Sequence, residues 1–185
     1  MALKQLWTAT PATFRGRYYC FEGVTMAPRP LQQPHPPIWV GGRSAAALRR
    51  AARLGNGWFA YFETPQSFAD KLQRARAYRA ASDRAGEAFA AGLVLYVCVA
   101  PTYEAARQQA VAYLSAEYRQ PFAHLVDKYC ALGPLPQCLA TIERFIAAGA
   151  QHLSLIPTCA PPQVLAQLRQ LAPALRQLAA RHPQR

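Results

Sequence analysis

The residues best suited to chemistry lie in "PIWVGGRSAAALRR", where an apolar segment meets Gly41, Gly42, Arg43 and Ser44 and a helical pattern opens at once. Glycines let a backbone approach an anion closely, and a helix N-terminus presents unpaired N–H groups to it. Ser44 adds a hydroxyl donor, and Arg43 a guanidinium suited to bidentate phosphate contact. The same residues equally suit a tight βα turn in which Ser44 only caps the helix, and the motif alone does not separate the two. A second Gly-x-Gly, Gly55-Asn56-Gly57, closes that helix and leads into Trp58, Phe59, Tyr61, Phe62 and Glu63. Trp58 and Phe59 read as packing residues. Tyr61 to Glu63 fall at the C-terminal end of the next strand, a place where active sites of parallel β/α folds gather.

Other candidates carry less. His124 and Asp127 are three apart and could form an acid/base dyad, although a surface helix pair explains them as well. His35 lies among prolines, His152 opens a strand, and His182 sits near the C-terminus. Nine carboxylates include no close pair in an apolar setting, and no G-x-S-x-G or Walker motif occurs, so glycosidase, hydrolase and nucleotidase chemistry find no support. Five cysteines are odd in number, scattered, and never in Cys-x2-Cys spacing. They suit free thiols in a reducing cytoplasm, with no metal site. No catalytic side chain is assigned.

The elements that must position these residues follow from their pattern. Residues 1 to 15 begin helically, and Tyr18–Phe21 and Val24–Met26 are expected to pair around Glu22-Gly23. Five prolines between positions 28 and 37 make an extended connector. Strands are expected near 38–41, 57–62, 92–100 and 151–156, each followed by helix. Thr64 and Thr102 are N-caps, and Pro65 takes the first helical position. "AGLVLYVCVA" is apolar without alternation, as in a strand buried on both faces. "PFAHLVDKYCALG" reads as a short helical segment ending at Gly133, and the last helix is expected to kink or split at Pro173. Alternating β and α units imply an α/β fold with parallel strands and right-handed crossovers. Half of a (β/α)8 barrel and a four-stranded doubly wound sheet both satisfy that pattern.

A net charge of +12 carried by arginine raises the question of nucleic acid. The arginines alternate with alanines at helical spacing and form no block of like charge, so solvated helix faces account for them. No apolar run reaches membrane-spanning length, and the first residues lack a secretory signal pattern. Neither nucleic acid nor membrane is expected as a partner, and the cytoplasm is the expected location.

The stretch "GRYYCFEGVTMAPRPLQQPHPPIWVGGRSAAALRRAARLGNGWF" resembles the luciferase-like monooxygenase family, as does "KYCALGPLPQCLATIERFIAAGAQHLSLIP". The resemblance implies a TIM (β/α)8-barrel fold, present here as a C-terminal half-barrel of about four parallel strands with flanking helices. Residues 1–37 would then be a connector or insertion segment and 38–185 the C-terminal β/α units. It also implies FMN or coenzyme F420, with the choice undecided, and a small organic substrate. Gly41, Gly42, Arg43 and Ser44 become the expected cofactor phosphate site, with Gly57 and Tyr61 as further cofactor contacts. Asn56 departs from the aspartate usual in the family. The first four strands of such a barrel have no counterpart in this chain. The alternative expectation is therefore a truncated, non-catalytic half-barrel, inactive alone or completed by a second copy or an N-terminal half.

Overall fold

The computed structural model describes residues 2–182. They form two compact units, Met1–Ile38 and Trp39–Arg185. In the first, helix α1 (Ala2–Thr8) precedes an antiparallel hairpin of β1 (Ala12–Arg15) and β2 (Cys20–Val24). Phe14 stacks on Phe21 with ring centroids 5.8 Å apart. The expected hairpin around Glu22-Gly23 is displaced. The turn instead spans Gly16–Tyr19, closed by Gly16 N–H donating to the Tyr19 carbonyl at 2.9 Å. Its cause is local: a Cβ on Gly16 would stand 2.6 Å from the Phe14 ring, so only glycine lets that ring fold over the turn. The proline segment that follows has no helix or strand up to Ile38. Within it His35 packs 5.8 Å from Trp7.

The second unit is built on a parallel sheet. Its elements are β3 (Trp39–Gly41), α2 (Ala45–Leu54), β4 (Gly57–Tyr61), α3 (Pro65–Ala80), β5 (Ala90–Val99) and α4 (Tyr103–Tyr118). After them come α5 (Ala123–Tyr129), β6 (Cys130–Gly133), α6 (Leu135–Ala147), β7 (His152–Pro157) and α7 (Pro161–Arg181). The ten-residue β5 is the axis. β4 pairs with Ala90–Val94 and β6 with Tyr96–Val99, while β7 runs along Gly92–Val97. Because β7 overlaps both of the others, it must lie on the opposite edge of β5 from them. β3 completes the sheet beside β4. All these pairings are parallel, so the C-terminal strand ends gather on one rim.

Alternation along β5 divides the core. Leu93, Leu95, Val97 and Val99 pack with Leu48 of α2, Phe68 and Leu72 of α3, Ile142 and Phe145 of α6, and Leu171 and Leu178 of α7. Tyr96 and Cys98 on the other face pack with Ala106, Ala110 and Leu114 of α4 and Phe122 and Val126 of α5. A strand covered on both faces needs no polar alternation, which is why "AGLVLYVCV" reads as a continuous apolar run.

Most caps match the sequence. Ser44 and Thr64 accept from the N–H groups three residues on, and Thr64 with Ser67 forms a reciprocal capping box. Two expectations change. Cys130–Gly133 is a fifth strand, not the end of a helix; four residues in a half-apolar context are too few to declare strand by pattern. Of the kink or split expected at Pro173, the split does not occur, since α7 is continuous through it. As expected, α2 closes at Gly55, which is extended at φ −92°. Its free carbonyls are met from outside: Arg79 Nη1 donates to the Ala52 and Gly55 carbonyls at 2.8 and 3.0 Å, and Arg84 Nη1 to Gly55 at 2.7 Å. With those acceptors satisfied, the helix end needs no glycine cap motif.

Candidate functional site at the C-terminal rim

Gly41 ends β3 and Gly42 turns the chain with φ 117°. A Cβ on Gly42 would lie 2.8 Å from the Ala47 Cβ, so both the conformation and the contact require glycine there. At Gly41 a Cβ would meet only the Phe59 carbonyl, at 3.8 Å, leaving the approach to that backbone open. Trp58, fully buried in β4, fixes the turn by donating its indole N–H to the Gly42 carbonyl at 2.8 Å. Ser44 then caps α2 by accepting from Ala47 N–H at 3.2 Å. The N–H groups of Ala45 and Ala46 belong to the first turn, which has no intrahelical acceptors. Capping and anion binding therefore coexist: the Ser44 oxygen accepts from the helix, while its proton and the remaining N–H groups can serve a ligand.

Arg43 leaves the turn toward Glu63, donating from Nε at 3.2 Å. Glu63 directly follows the β4 end, beyond Phe62, whose φ of 50° is uncommon for a bulky residue. The strained position is held by aromatic contacts: the Phe62 ring lies 5.4–5.7 Å from Tyr96, Tyr118, Phe122 and Tyr129. Glu63 is buried, and it also receives Ser67 Oγ at 2.5 Å and Lys71 Nζ at 2.5 and 2.6 Å. Arg43 and Lys128 flank the Tyr129 ring, 5.8 and 5.1 Å from its centroid. Burial would raise the Tyr129 phenol, but those two cations outweigh it and hold the group below its ordinary value. Burial also acts against the Arg43 cation, and Tyr129 and Glu63 reverse that effect.

The structure gathers Gly41, Gly42, Arg43, Ser44 and the β4 end on the same rim, with Tyr61 there exposed to solvent. Gly57 is not with them. It begins β4 opposite Trp39, at the other end of the strand from Tyr61. A Cβ there would stand 2.8 Å from both the Trp39 ring and the Ala90 carbonyl, which explains the glycine by packing. His152 also opens its strand away from the rim, with its ring 5.0 Å from that of Trp39. Of the residues around Glu63, the sequence reading singled out the 61–63 segment but passed over Ser67 and Lys71. Positions 63, 67 and 71 recur every four residues, and that was the available signal, since Ser67 and Lys71 share a face of α3 that leads back to Glu63. Tyr129 offered none.

The suspected His124–Asp127 dyad does not form. Asp127 Oδ1 instead accepts from Tyr103 Oη at 2.6 Å and Arg107 Nε at 2.8 Å, joining α4 to α5. Arg107 and then Tyr103 hold the Asp127 carboxyl below the usual carboxylate range. A lowered folded-state pKa stabilises above the unfolded value and fades as pH falls through the folded one. Asp127→Asn is thus expected to be less stable than the parent by a constant margin from pH 5 to 7. That margin should shrink below about pH 4, as checked by urea unfolding across pH. Burial and Asp127 push the Tyr103 phenol up to about 12.

Among the described residues no group of three or more His, Cys, Asp or Glu could hold a metal ion. Likewise, no helix there is long and apolar enough to cross a membrane.

The fold belongs to a known class. The luciferase-like monooxygenase family profile matches residues 1–129, and the chain belongs to that family. It is 36% identical over 106 residues to an FMNH2-dependent dimethylsulfone monooxygenase of Pseudomonas putida, covering 57% of this chain and 28% of that enzyme. Among solved structures, an F420-dependent secondary alcohol dehydrogenase in complex with an F420-acetone adduct matches with a TM-score of 0.70 at 15% identity. That match covers 85% of this chain and 53% of the dehydrogenase. Monooxygenase RslO1 from Streptomyces bottropensis matches with a TM-score of 0.66 at 22% identity, over 85% of this chain and 53% of its own. The chain thus spans about half the length of these folds and less of the curated relative. The parallel sheet and its helices correspond to a half-barrel.

Proposed function

We propose that this chain is the C-terminal β/α part of a flavin- or deazaflavin-dependent oxidoreductase acting on a small organic substrate in the cytoplasm, and that Gly41–Ser44 receives the phosphate end of the cofactor. The observation carrying this reading is the turn itself. Gly42 is required by conformation, Gly41 is open to approach, a helix N-terminus follows, and Arg43 stands beside it. Such a turn at the C-terminal end of a parallel strand offers N–H donors and a guanidinium to phosphate oxygens. A flavin or deazaflavin bound here supplies the redox chemistry, and the protein binds and orients it. Tyr61 and the aromatic group around Phe62 then form the apolar wall next to the turn. Gly57, at the other end of β4 from Tyr61, is left out of this proposal. The relatives divide between FMNH2 and F420, so both cofactors stay within the proposal.

Fluorescence titration with FMN, with riboflavin (which lacks the phosphate) and with F420 tests the reading. Tighter binding of FMN than of riboflavin, or binding of F420, is expected. Equal affinity for FMN and riboflavin together with no F420 binding would overturn it.

A second reading rests on the edges of the sheet. Among the described residues, β3 is paired by β4 and β7 by β5, each on one side. Unpaired parallel edges invite another strand. In this reading cofactor binding requires an N-terminal half-barrel or a second copy to close the sheet, and the chain alone is inactive. Light scattering with cofactor titration separates the two: a monomer that binds FMN excludes the second.

A further inference from the structure

At the C-terminal end of β4 one carboxylate meets two cations, and the charges do not cancel. The Glu63 side chain is fully buried, and both of its oxygens lie within 2.6 Å of Lys71 Nζ. That contact is already a neutral pair. Arg43 is therefore a cation in excess, and Lys128 brings another to the Tyr129 ring that Arg43 also faces. The neighbouring Asp127 does not offset them, because Arg107 and Tyr103 occupy it. The Arg43 side chain keeps 40% of its exposure against 20% for Lys71, so the uncancelled charge emerges on the arginine. A surplus of this kind is balanced by solvent or by an anion from outside.

The bonding geometry leaves that arginine usable. Glu63 engages Nε. The two Nη atoms, which can take two oxygens of a phosphate, lie outside this ion pair, and a phosphate there would share the guanidinium with Tyr129. The carboxylate cannot drift, since Ser67 and Lys71 hold it from α3 and the aromatic contacts of Phe62 hold the backbone that precedes it. An arginine anchored at Nε by a buried partner loses little further entropy on binding an anion, whereas a free one must be ordered first.

We propose that Glu63 is a positioning residue: fixed by Lys71 and Ser67, it holds Arg43 by Nε so that the Nη side of the guanidinium can meet a phosphate monoester at the Gly41–Gly42 turn. The inference rests on the phosphate reading of that turn, and the test separates the two.

FMN and riboflavin are titrated into the parent chain, Arg43→Ala, Glu63→Gln and the double variant. In the parent, FMN should bind more tightly than riboflavin. Glu63→Gln should cut that preference about tenfold, as loss of a charge-assisted contact would. Riboflavin affinity should be unchanged, and the double variant should fall no further than Arg43→Ala. The Arg43 Nε–H resonance gives a ligand-free readout, and its exchange with solvent should quicken in Glu63→Gln. Should that variant not fold, Glu63→Asp, which keeps the charge with a shorter reach, is expected to lose part of the preference.

If the parent prefers FMN and Arg43→Ala abolishes the preference while Glu63→Gln keeps it, the positioning role is overturned. Equal weakening of FMN and riboflavin by Glu63→Gln overturns it too, because a purely structural residue acts that way. If the parent itself shows no preference, Glu63 has no phosphate contact to position and the inference is overturned; if F420 also fails to bind, the phosphate reading of the turn falls with it.

Discussion

Trp58→Ala is expected to destabilise the Trp39–Arg185 unit by about 3–5 kcal/mol, the usual range for removing a large buried aromatic. Trp58 is fully buried and stacks on Phe68 with centroids 5.2 Å apart; Phe68 in turn meets Phe145 edge-on at 6.2 Å. The deletion would open a cavity between β4, α3 and α6, where the core is closed by rings that cannot collapse inward. Trp58→Phe divides the effect. It keeps most of the stack but leaves the Gly42 carbonyl without the indole donor, for which about 1–3 kcal/mol is expected. Urea unfolding measures both, with the midpoint shifting and the slope unchanged. A loss below about 1 kcal/mol for Trp58→Ala would show that the site repacks and that the indole is not the anchor of the turn. Because Trp58 joins the core to Gly42, the same substitution should also loosen the proposed phosphate turn, while Trp58→Phe tests the link with less damage to the core.

The elements that carry most of the core were legible from pattern. The apolar run of β5, the Thr64-Pro65 start of α3 and the Ser44 cap of α2 each have a local physical cause that survives folding. What escaped depends on contacts distant in sequence. Cys130–Gly133 becomes a strand because Tyr96–Val99 offers it an unpaired stretch beyond the end of β4. Nothing within those four residues says so. The first hairpin was displaced for a different reason: Gly23 looked like a turn residue, yet it sits inside β2 at φ 65°, and the turn went to the glycine that Phe14 covers.

The candidate site divides the same way. The Gly41–Ser44 turn is contiguous in sequence and its geometry follows from its glycines. The grouping of Arg43 with Glu63 needs strands β3 and β4 in register, and that of Arg43 with Tyr129 needs α5 brought to the same rim. Gly57 shows the converse case. A glycine in a motif invites a ligand, but here the neighbouring strands claim the space, with Trp39 on one side and Ala90 on the other.

Arg79→Met is expected to cost about 2–4 kcal/mol, and the reason lies in what the guanidinium replaces. Arg79 is 3% exposed on α3, and its Nη atoms donate to the carbonyls of Ala52, Gly55 and Ala88 and to Glu87. Two of these carbonyls close α2 and one precedes β5, so a single side chain ties three elements together. Methionine keeps the apolar stem, and the Gly55 carbonyl keeps Arg84. The Ala52 carbonyl, on a fully buried residue, loses this donor at about 1–3 kcal/mol when left unpaired, while the Ala88 carbonyl, on an exposed residue, exchanges it for water at a smaller cost. Against this stands the cost of burying a cation. Burial, and then Arg84, push Arg79 below its ordinary value, although an arginine stays charged at any physiological pH. Among the described residues its Nε has no partner, so the group is not fully satisfied even in the native state. If desolvation dominates, Arg79→Met will match the parent in stability, as apolar replacements of buried ion pairs sometimes do. The carbonyl contacts argue for the other outcome, because methionine supplies nothing to them. Hydrogen exchange locates the effect: the Ala90 N–H, bonded to the Asn56 carbonyl at 3.0 Å, should lose protection earlier than the N–H groups at the centre of β5. A variant with parental stability and parental protection at Ala90 would mean that this corner is held by packing, and that the arginine is tolerated there without being needed.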